Sequence, residues 1–208
     1  MSEKKLNRKK EQGVETKRKL YECAKELFTK HDYASVSVKD ITDAAGVTKG
    51  TFYVHFASKD ELVASLISDT VSQLDLNYQA FLDTLPPDLP VSEMLLALAA
   101  KIADVITDTV GYDTMRIVYQ LQLTKLVDMR LVVGYDRELY TIFAGIMEQG
   151  VRRREVRPDM TPGELSRHFV MAIRGLCYEW CIRYPDFDLQ EQILKHCKLL
   201  LDGITANQ

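Results

Sequence analysis

The sequence predicts an all-α protein with about nine helices joined by short loops. Apolar residues recur at intervals of three and four along most of its 208 residues, which is the period of helices that bury one face. No stretch alternates apolar and polar residues for long enough to predict a strand, although the β-branched segment Ala34–Val38 is ambiguous. All six prolines lie after residue 85, so the first 85 residues form one unbroken unit.

The composition restricts the class of protein. Hydrophobic residues make up 46% of the chain and charged residues 27%, which excludes disordered and collagen-like chains. Uncharged stretches such as Leu139–Met147 reach only nine residues, whereas a membrane span needs about 20. The basic N-terminus is not followed by the apolar stretch and cleavage site of a signal peptide. We therefore expect a cytoplasmic protein without a membrane partner.

The charge is divided unevenly along the chain. Residues 1–60 carry a net charge of +4, whereas the remaining 148 residues carry −7. Such asymmetry is typical of a chain in which one segment meets nucleic acid or a membrane. Five of the basic residues fall within residues 4–10, so residues 1–13 are predicted to form a basic disordered arm. The arm either adds non-specific phosphate contacts or only solubilises the protein.

Each predicted helix is marked by apolar residues on one face. In chain order the marker residues are Leu20, Ala24, Leu27 and Phe28; Val38, Ile41, Ala44 and Ala45; Phe52 and Phe56; Leu62, Leu66, Ile67, Val71 and Leu74; Leu95, Leu98, Ile102 and Val105; Met115, Val118, Tyr119, Leu123 and Leu126; Leu139, Ile142, Phe143, Ile146 and Met147; and two final segments, Leu165–Trp180 and Leu189–Ile204.

A pair of short helices is predicted around residue 50. Ser37 and Asp40 form a capping box, so a helix of about two turns starts at residue 38. Gly46 ends that helix, and Thr48 can cap a second one through its side-chain oxygen. Two short helices joined by a glycine turn are the sequence form of a helix-turn-helix, here placed at residues 37–56.

The second short helix carries residue types that suit a DNA groove. Phe52 and Phe56 give it one apolar side that holds it against its neighbours. The groups suited to phosphates, base edges or close backbone approach are Thr48, Lys49, Gly50, Thr51, Tyr53 and His55. Lys59 lies in the first turn of the next helix, where free backbone amides and a positive charge favour a phosphate. The same residues would also suit a polar connector that touches only water.

A longer run of matched positions surrounds this motif. It comprises Ala24-x-x-Leu27-Phe28, then Tyr33, then Ser37-Val38-x-x-Ile41-x-x-Ala44-Ala45-Gly46-Val47-Thr48-Lys49-Gly50-Thr51-Phe52-Tyr53-x-His55-Phe56-x-Ser58-Lys59-x-Glu61-Leu62. Over residues 14–75 the chain resembles the N-terminal DNA-binding domain of tetracycline-repressor-type (TetR family) regulators. It departs from the family at Asp32, which stands where glycine is usual, and at Cys23, which stands where alanine is common.

The resemblance implies an all-α homodimer whose larger C-terminal domain, residues 76–208, binds a small molecule. It places Lys49, Gly50, Thr51 and Tyr53 at the major groove, His55 and Lys59 at the phosphate backbone, and Thr48 at the start of the recognition helix. Two such helices must lie about 34–36 Å apart to read a palindromic operator, and the effector would change that spacing. The resemblance therefore implies a repressor that is released by its ligand, not an enzyme.

The last two predicted helices are apolar over much of their circumference. They need more partner surface than one small domain supplies, which favours a four-helix dimer interface. The expected interface residues are Leu165, Phe169, Ala172, Leu176, Trp180, Ile193, Cys197, Leu200 and Ile204. The alternative is that both helices form the central core of a monomer.

A pocket for an apolar or amphipathic effector is expected among the middle helices. Soft and aromatic side chains at helical spacing are typical of adaptable apolar sites, and a few polar groups could orient the ligand. The candidate ligand residues are Met94, Met115, Arg116, Tyr119, Gln120, Tyr140, Phe143, Met147, Phe169 and Tyr178. Each is also explained as ordinary core. His168 is a further polar candidate, although a hydrogen-bonded or exposed histidine without a ligand role is the favoured explanation.

Two alternatives concern other classes of function. The chain lacks the glycine-rich, nucleophile-elbow and His-Glu-x-x-His motifs of common enzymes, and we expect no cofactor and no metal. The nearest arrangement is Cys177-x-x-x-Cys181 with His196-Cys197, which could hold zinc or sense redox state, although buried cysteines on apolar helices explain it without a function. The second alternative is a helix-turn-helix protein whose C-terminal half binds another protein.

Overall fold

A computed structural model describes residues 2–125 and 127–205 of the chain. Within those residues the regular structure is helical, and one isolated bridge pairs Val156 with Thr205. The helices are α1 (Ser2–Lys30), α2 (Val38–Ala45), α3 (Lys49–His55), α4 (Lys59–Leu82), α5 (Val91–Asp104), α6 (Tyr112–Thr124), α7 (Arg130–Val133), α8 (Glu138–Arg153), α9 (Pro162–Arg183) and α10 (Leu189–Ile204). A π-helical segment, Val105–Val110, continues α5. The predicted all-α class is confirmed, and α7, a single turn, is the element that the apolar pattern did not indicate.

The N-terminal unit comprises residues 1–67 and 124–128. Its core is formed by one face each of α1, α2, α3 and the start of α4, with the loop residue Val36. The buried side chains are Leu20, Ala24, Val36, Ile41, Ala45, Phe52, Phe56 and Leu62. The apolar periodicity marked all of these positions except Val36, because the helices of this unit are strongly amphipathic.

The first helix begins earlier than the sequence analysis expects. Helix α1 runs from Ser2, whereas residues 1–13 were expected to form a disordered arm, and Met1 lies outside the described residues. Lysine, arginine, glutamate and glutamine, which dominate this stretch, are good helix formers, and Gly13 is the one strong helix breaker in it.

The boundary between the two units lies inside a helix. Helix α4 contributes its first turns, up to Ile67, to the N-terminal unit and the residues from Ser68 onward to the C-terminal unit. The sequence predicts this boundary at residue 75, where the resemblance to the DNA-binding domain ends, whereas the proline cluster lies further on, at residues 86–90. A continuous helix gives no compositional signal where its packing partners change.

The C-terminal unit comprises residues 68–123 and 129–208. Its core brings together α5, α8, α9 and α10, with Leu98, Phe143, Phe169 and Ile193 among the fully buried side chains. Helix α8 passes so close to its neighbours that a Cβ at Gly150 would lie 2.5 Å from a methyl of Val156. The glycine therefore allows the close packing of this core.

A buried ion pair fixes the second half of α4 within this unit. Both carboxylate oxygens of Asp75 accept hydrogen bonds from the Arg137 guanidinium, at 2.7 and 2.8 Å. The side chains are 3% and 14% exposed, respectively. Because Arg137 directly precedes α8, this bidentate contact joins α4 to the N-terminus of α8.

The proline-rich loop between α4 and α5 is held by side chains of α8 and the segment after it. The Arg153 guanidinium donates to the carbonyl oxygens of Pro87 and Leu89, at 2.6 and 2.9 Å. The Glu155 carboxylate accepts from the backbone N–H of Val91 at 2.6 Å, at the start of α5. These hydrogen bonds therefore attach the loop and the start of α5 to the C-terminal unit.

Part of the expected dimer interface lies inside the core of the single chain. Leu165, Phe169, Trp180, Ile193 and Cys197 are buried there. Four of the expected residues remain half-buried at its margin: Ala172, Leu176, Leu200 and Ile204. The apolar surface that is exposed on α9 and α10 is instead formed by Met171, Tyr178, Ile182 and Leu199. Within the described residues, every helix is too short or too polar to span a bilayer.

Candidate nucleic-acid interface

Helix α2 is capped at both ends, and its C-terminal cap begins the turn to α3. Ser37 accepts a hydrogen bond from the backbone N–H of Asp40, and Asp40 accepts one in return from the N–H of Ser37, which completes the predicted capping box. Gly46 ends α2 in the left-handed conformation, with φ at +66°. The N–H of Val47 then donates to the carbonyl of Thr42 at 3.0 Å, so the chain reverses within a few residues.

Helix α3 is capped at its start and anchored along one side. The hydroxyl oxygen of Thr48 accepts from the backbone N–H of Thr51 at 3.1 Å and lies 3.0 Å from the Thr51 hydroxyl. Phe52 and Phe56 are fully buried, with ring centroids 5.8 Å apart. The anchor and the cap together fix which side of this seven-residue helix faces outward.

The outward side of α3 carries the residues expected at a DNA groove. Lys49 and Gly50 are exposed, and the side chain of Tyr53 is 56% exposed while its ring edge packs on Phe52 at 5.4 Å. Val54, which the sequence analysis did not single out, is 79% exposed beside them. The sequence did contain a signal for the exposure of Val54. It lies two positions from each anchoring phenylalanine and therefore on another side of the helix.

Two further candidates lie nearer the rim of this surface. Thr51 is half-buried because its hydroxyl is held by the Thr48 cap. His55 is half-buried next to α1, where a Cβ at Gly13 would lie 3.9 Å from the imidazole. The structure thus brings six of the seven predicted DNA residues to α3 and its N-cap.

Lys59 is engaged within the protein. Its ammonium donates to the carbonyl oxygens of Tyr33 and Val36, at 2.8 and 2.9 Å, and lies 3.9 Å from the centroid of the Tyr33 ring. Burial lowers the pKa of this ammonium. The Tyr33 hydroxyl in turn donates to Asp60. These contacts, the Lys59 clasp, join the loop before α2 to the first turn of α4 and occupy two of the three ammonium hydrogens.

The expected ligand residues differ widely in burial. Phe143, Met147 and Phe169 are fully buried and Tyr140 is nearly so, while Met94, Met115 and Tyr119 are half-buried. Arg116, Gln120 and Tyr178 are exposed, as is His168. The helical period correctly placed the apolar residues toward the interior, but it could not separate residues that fill a core from residues that line a cavity.

Two open clefts lie on the C-terminal unit. The first cleft, of about 270 Å³, is lined by Val133, Tyr135, Tyr140, Met171 and Arg174, so it includes one predicted ligand residue, Tyr140. The second, of about 430 Å³, is lined by Thr107, Tyr112, Trp180, Tyr184, Pro185, Phe187, Asp188 and Leu189. In the second cleft the centroids of the stacked Tyr112 and Tyr184 rings lie 4.1 Å apart, and the Trp180 ring is perpendicular to both.

The three cysteines of the candidate zinc or redox cluster lie in environments that disfavour the thiolate. Burial raises the thiol pKa of Cys177 and Cys197 to about 12 and that of Cys181 to about 11. His196, the fourth member of the candidate cluster, is exposed. Over the described ranges 2–125 and 127–205, no three or more histidine, cysteine or acidic side chains group in a way that could hold a metal.

Comparisons with known proteins point to the same N-terminal segment. Residues 20–66 match the family model of bacterial regulatory proteins, tetR family. The chain is 27% identical to the HTH-type transcriptional regulator AcrR of Shigella flexneri over 204 residues, covering 93% of this chain and 91% of that protein. It is 25% identical to the HTH-type transcriptional repressor KstR2 of Mycolicibacterium smegmatis over 192 residues, covering 91% and 90%.

A solved structure extends the likeness to the whole fold. FadR of Thermus thermophilus, a TetR-family transcriptional repressor in complex with lauroyl-CoA, matches with a TM-score of 0.71 at 20% identity, over 92% of this chain and 96% of that chain. At this identity the match concerns the fold. It includes the C-terminal helices, for which the sequence motif gave no guide.

Proposed function

Since the chain belongs to the tetR family of bacterial regulatory proteins, we propose that it is a ligand-responsive transcriptional repressor that binds a palindromic operator as a homodimer. The observation that carries this proposal is the outward side of α3. A short, capped helix with two buried phenylalanines presents Lys49, Gly50 and Tyr53 to the outside. These groups can neutralise phosphate, allow close approach and donate to the duplex.

The proposed DNA contacts divide by position on the helix. Lys49, Gly50, Thr51 and Tyr53 face the major groove, with Thr48 at the helix start and His55 at the phosphate backbone. Val54 is added to this surface because a side chain so exposed beside Tyr53 can contact a thymine methyl. Lys59 acts chiefly as a positioning residue, since its ammonium already serves two carbonyl oxygens.

We place the dimer interface on α9 and α10. The half-buried Leu176 and Leu200 lie at the margin of the core, and Ile182 and Leu199 are 60% and 69% exposed on the same two helices. Exposed apolar side chains on two adjacent helices are typical of an isologous interface that buries them against a second copy. A two-fold dimer of this kind supplies the paired recognition helices that a palindrome requires.

The proposed effector is a small apolar or amphipathic molecule. Support comes from the first cleft, where soft and aromatic side chains meet a cationic one, and from FadR, whose structure holds lauroyl-CoA. Effector binding in the C-terminal unit would favour a state in which the recognition helices no longer match the operator. The affinity for DNA would fall by the differential binding free energy of the effector.

The test begins with selection of bound sequences from random duplex DNA, followed by a titration of the selected operator at fixed salt. We expect Tyr53→Ala to weaken operator binding by about fivefold to 150-fold, because it removes a side chain that contributes about 1–3 kcal/mol at a base or phosphate contact. Tyr53→Phe separates the hydroxyl from the ring. The control is Leu76→Ala, a change of another exposed side chain, on α4. Unchanged affinity of Tyr53→Ala would contradict the assignment.

The protein-binding alternative keeps one observation in its favour. Leu123 and Leu131 are 66% and 68% exposed on the C-terminal unit. A partner protein that covered them would regulate DNA binding without a small molecule. Release of the operator by a small molecule with purified components alone would decide for the proposed function.

A further inference from the structure

The first cleft combines a cationic end with an aromatic and apolar wall. Arg174 lies at one side of it, and Tyr135, Tyr140, Met171 and Val133 form the rest. Tyr140 is almost fully buried, and the rings of Tyr135 and Tyr140 meet edge to face at 5.4 Å. A cleft of about 270 Å³ is close to the lower end of the range of about 300–1,000 Å³ that small-molecule sites occupy.

Helix α9 turns one stripe of side chains toward this cleft. Arg167, Met171 and Arg174 are four and three residues apart, so they share one face of the helix. The guanidinium of Arg167 lies over the Tyr135 ring, 4.7 Å from its centroid. The stripe therefore presents two positive charges separated by one polarizable apolar side chain.

Neither charge is held in an ion pair within the described part of the chain, although the Arg167 charge interacts at longer range with the Glu164 carboxylate. No ion pair there joins Arg167 or Arg174 to a carboxylate. Glu164, one turn before Arg167, is held by the hydroxyl and N–H of Thr161 in the α9 capping box. An arginine beside a cleft, without a carboxylate partner, is suited to bind an anion from outside.

The guanidinium of Arg174 is held in place from a second helix. Its Nη2 donates to the side-chain oxygen of Gln122 on α6 at 3.2 Å, and the Tyr119 hydroxyl donates to the Arg174 carbonyl at 2.9 Å. A neutral amide orients the guanidinium without neutralising it, so the positive charge is fixed at the cleft and remains available.

We infer that the effector is an amphipathic carboxylate, whose acid group is bound by Arg174 and whose apolar body lies against Tyr135, Tyr140 and Met171. The inference rests on the proposed function, because it names the chemical class of the regulatory ligand. A planar carboxylate matches the guanidinium in two parallel hydrogen bonds, and the aromatic wall accepts a flat ring or a short alkyl chain.

The experiment compares carboxylates with neutral amides of the same shape. Benzoate, 2-naphthoate and octanoate are titrated into the full chain by calorimetry, beside benzamide, 2-naphthamide and octanamide. We expect at least one carboxylate to bind with at least tenfold higher affinity than its amide. No saturable binding by any of the acids at millimolar concentration, or equal affinity of each acid and its amide, would overturn the inference.

Variants of one helix test which charge is responsible. Arg174→Gln should weaken binding of the carboxylate at least tenfold and Arg174→Lys by less, because the lysine keeps the charge without the planar fork. Arg183→Gln, at an exposed α9 arginine paired with Glu179, is the matched control. Thermal unfolding in the absence of ligand shows that each variant is folded. Binding unchanged in Arg174→Gln would place the acid elsewhere.

The two proposals fail in distinguishable ways. Calorimetry without DNA tests the cleft alone, whereas fluorescence anisotropy of the labelled operator tests regulation. A carboxylate that binds through Arg174 but leaves operator affinity unchanged supports the site and counts against the proposed response. Release of the operator by a neutral molecule, with Arg174→Gln responding as the wild type does, supports the response and contradicts the carboxylate.

Discussion

Lys59 shows how one side chain can change role between a motif and a structure. In the sequence it is a cation near free helix amides, which predicts a phosphate contact. In the structure its ammonium serves the carbonyls of Tyr33 and Val36, residues that precede it by 26 and 23 positions. The clasp therefore fixes the loop that leads into α2 against the first turn of α4.

Lys59→Met distinguishes the clasp from a phosphate contact. The methionine keeps most of the apolar stem and leaves two carbonyl oxygens without their donor, so we expect unfolding to require about 1–3 kcal/mol less free energy. A clasp leaves the salt dependence of operator binding unchanged, whereas a phosphate contact contributes about 0.9 to its logarithmic slope. The measurements are chemical denaturation and a salt series of operator titrations. A lower slope at unchanged stability would restore the phosphate role.

Gly50 offers a second test at the residue scale. A Cβ at Gly50 would meet only the Thr48 hydroxyl, at 3.7 Å, so nothing within the chain requires a glycine there. Alanine should therefore not lower the stability of the protein and can raise it by up to about 1 kcal/mol. We expect Gly50→Ala nevertheless to weaken operator binding, because the added methyl would lie on the surface that we propose to face the duplex.

The control for Gly50→Ala is the same substitution in α8. Gly145 is exposed within that helix and has open space around an added Cβ. Gly145→Ala should raise stability in a thermal melt and leave the operator titration unchanged. Equal operator affinity of the two variants would mean that Gly50 does not approach DNA.

Local sequence signals made the cap and anchor residues of the N-terminal unit predictable. The cap residues Ser37 and Thr48 bond to backbone atoms three positions away, and Phe52 and Phe56 lie one turn apart, so each interaction is contained in a short window. The Lys59 clasp and the cleft around Arg174 depend on residues that the fold brings together from distant positions. The one sequence signal for the cleft was the helical spacing of Arg167, Met171 and Arg174, which does not reveal the facing tyrosines.

At the scale of elements, a buried ion pair joins α4 to the N-terminus of α8. Asp75 and Arg137 are 62 positions apart and almost fully removed from water. Taking two charges out of water is costly, and their bidentate geometry offsets that cost. Removal of one partner leaves the other charge buried and unpaired.

Asp75→Asn should therefore lower the free energy of unfolding by about 3–5 kcal/mol. The double variant Asp75→Leu with Arg137→Met should recover most of that loss, since well-packed apolar groups often replace a buried pair. Denaturant midpoints measure both. Asp43→Asn, which breaks an exposed pair with Lys39, is the control and should leave the midpoint near that of the wild type. A midpoint for Asp75→Asn equal to that control would show that the buried pair is not stabilising.

Element boundaries were predictable where a cap or a glycine marks them. The starts of α2 and α3 agree with the predicted caps, and the end of α2 with the predicted glycine. The π-helical segment after α5 and the single turn of α7 have no comparable mark. A π turn shifts the phase of the apolar face, so a fixed helical period does not anticipate it.

At the scale of the whole molecule, the apolar period of α9 and α10 has two explanations that sequence cannot separate. A face that packs on its own core and a face that packs on a second copy show the same spacing. The structure assigns Leu165, Phe169 and Ile193 to the core. The surface left for a second copy is smaller and includes Leu199, which the sequence analysis had not selected.

Leu199→Glu tests the proposed homodimer. A charge at this exposed α10 position would be buried without a partner in the interface, so we expect the measured mass in light scattering to shift from dimer toward monomer. Operator affinity should fall at the same time, since a monomer reads only one half-site. Leu76→Glu, at a similarly exposed leucine on α4, should leave the mass unchanged. A wild-type protein that is already monomeric at micromolar concentration would remove the dimer.

The continuous course of α4 also limits how such a regulator can be recombined. The boundary between the two units falls between Ile67 and Ser68, inside α4. The proline cluster lies further on, within the C-terminal unit. A chimera that joins this N-terminal unit to the C-terminal unit of a relative must therefore keep α4 continuous and its residues in register across the joint. Each residue gained or lost at the joint would turn everything after it by about 100°. An exchange at the proline cluster would transfer the second part of α4, which belongs to the C-terminal unit, together with the N-terminal unit.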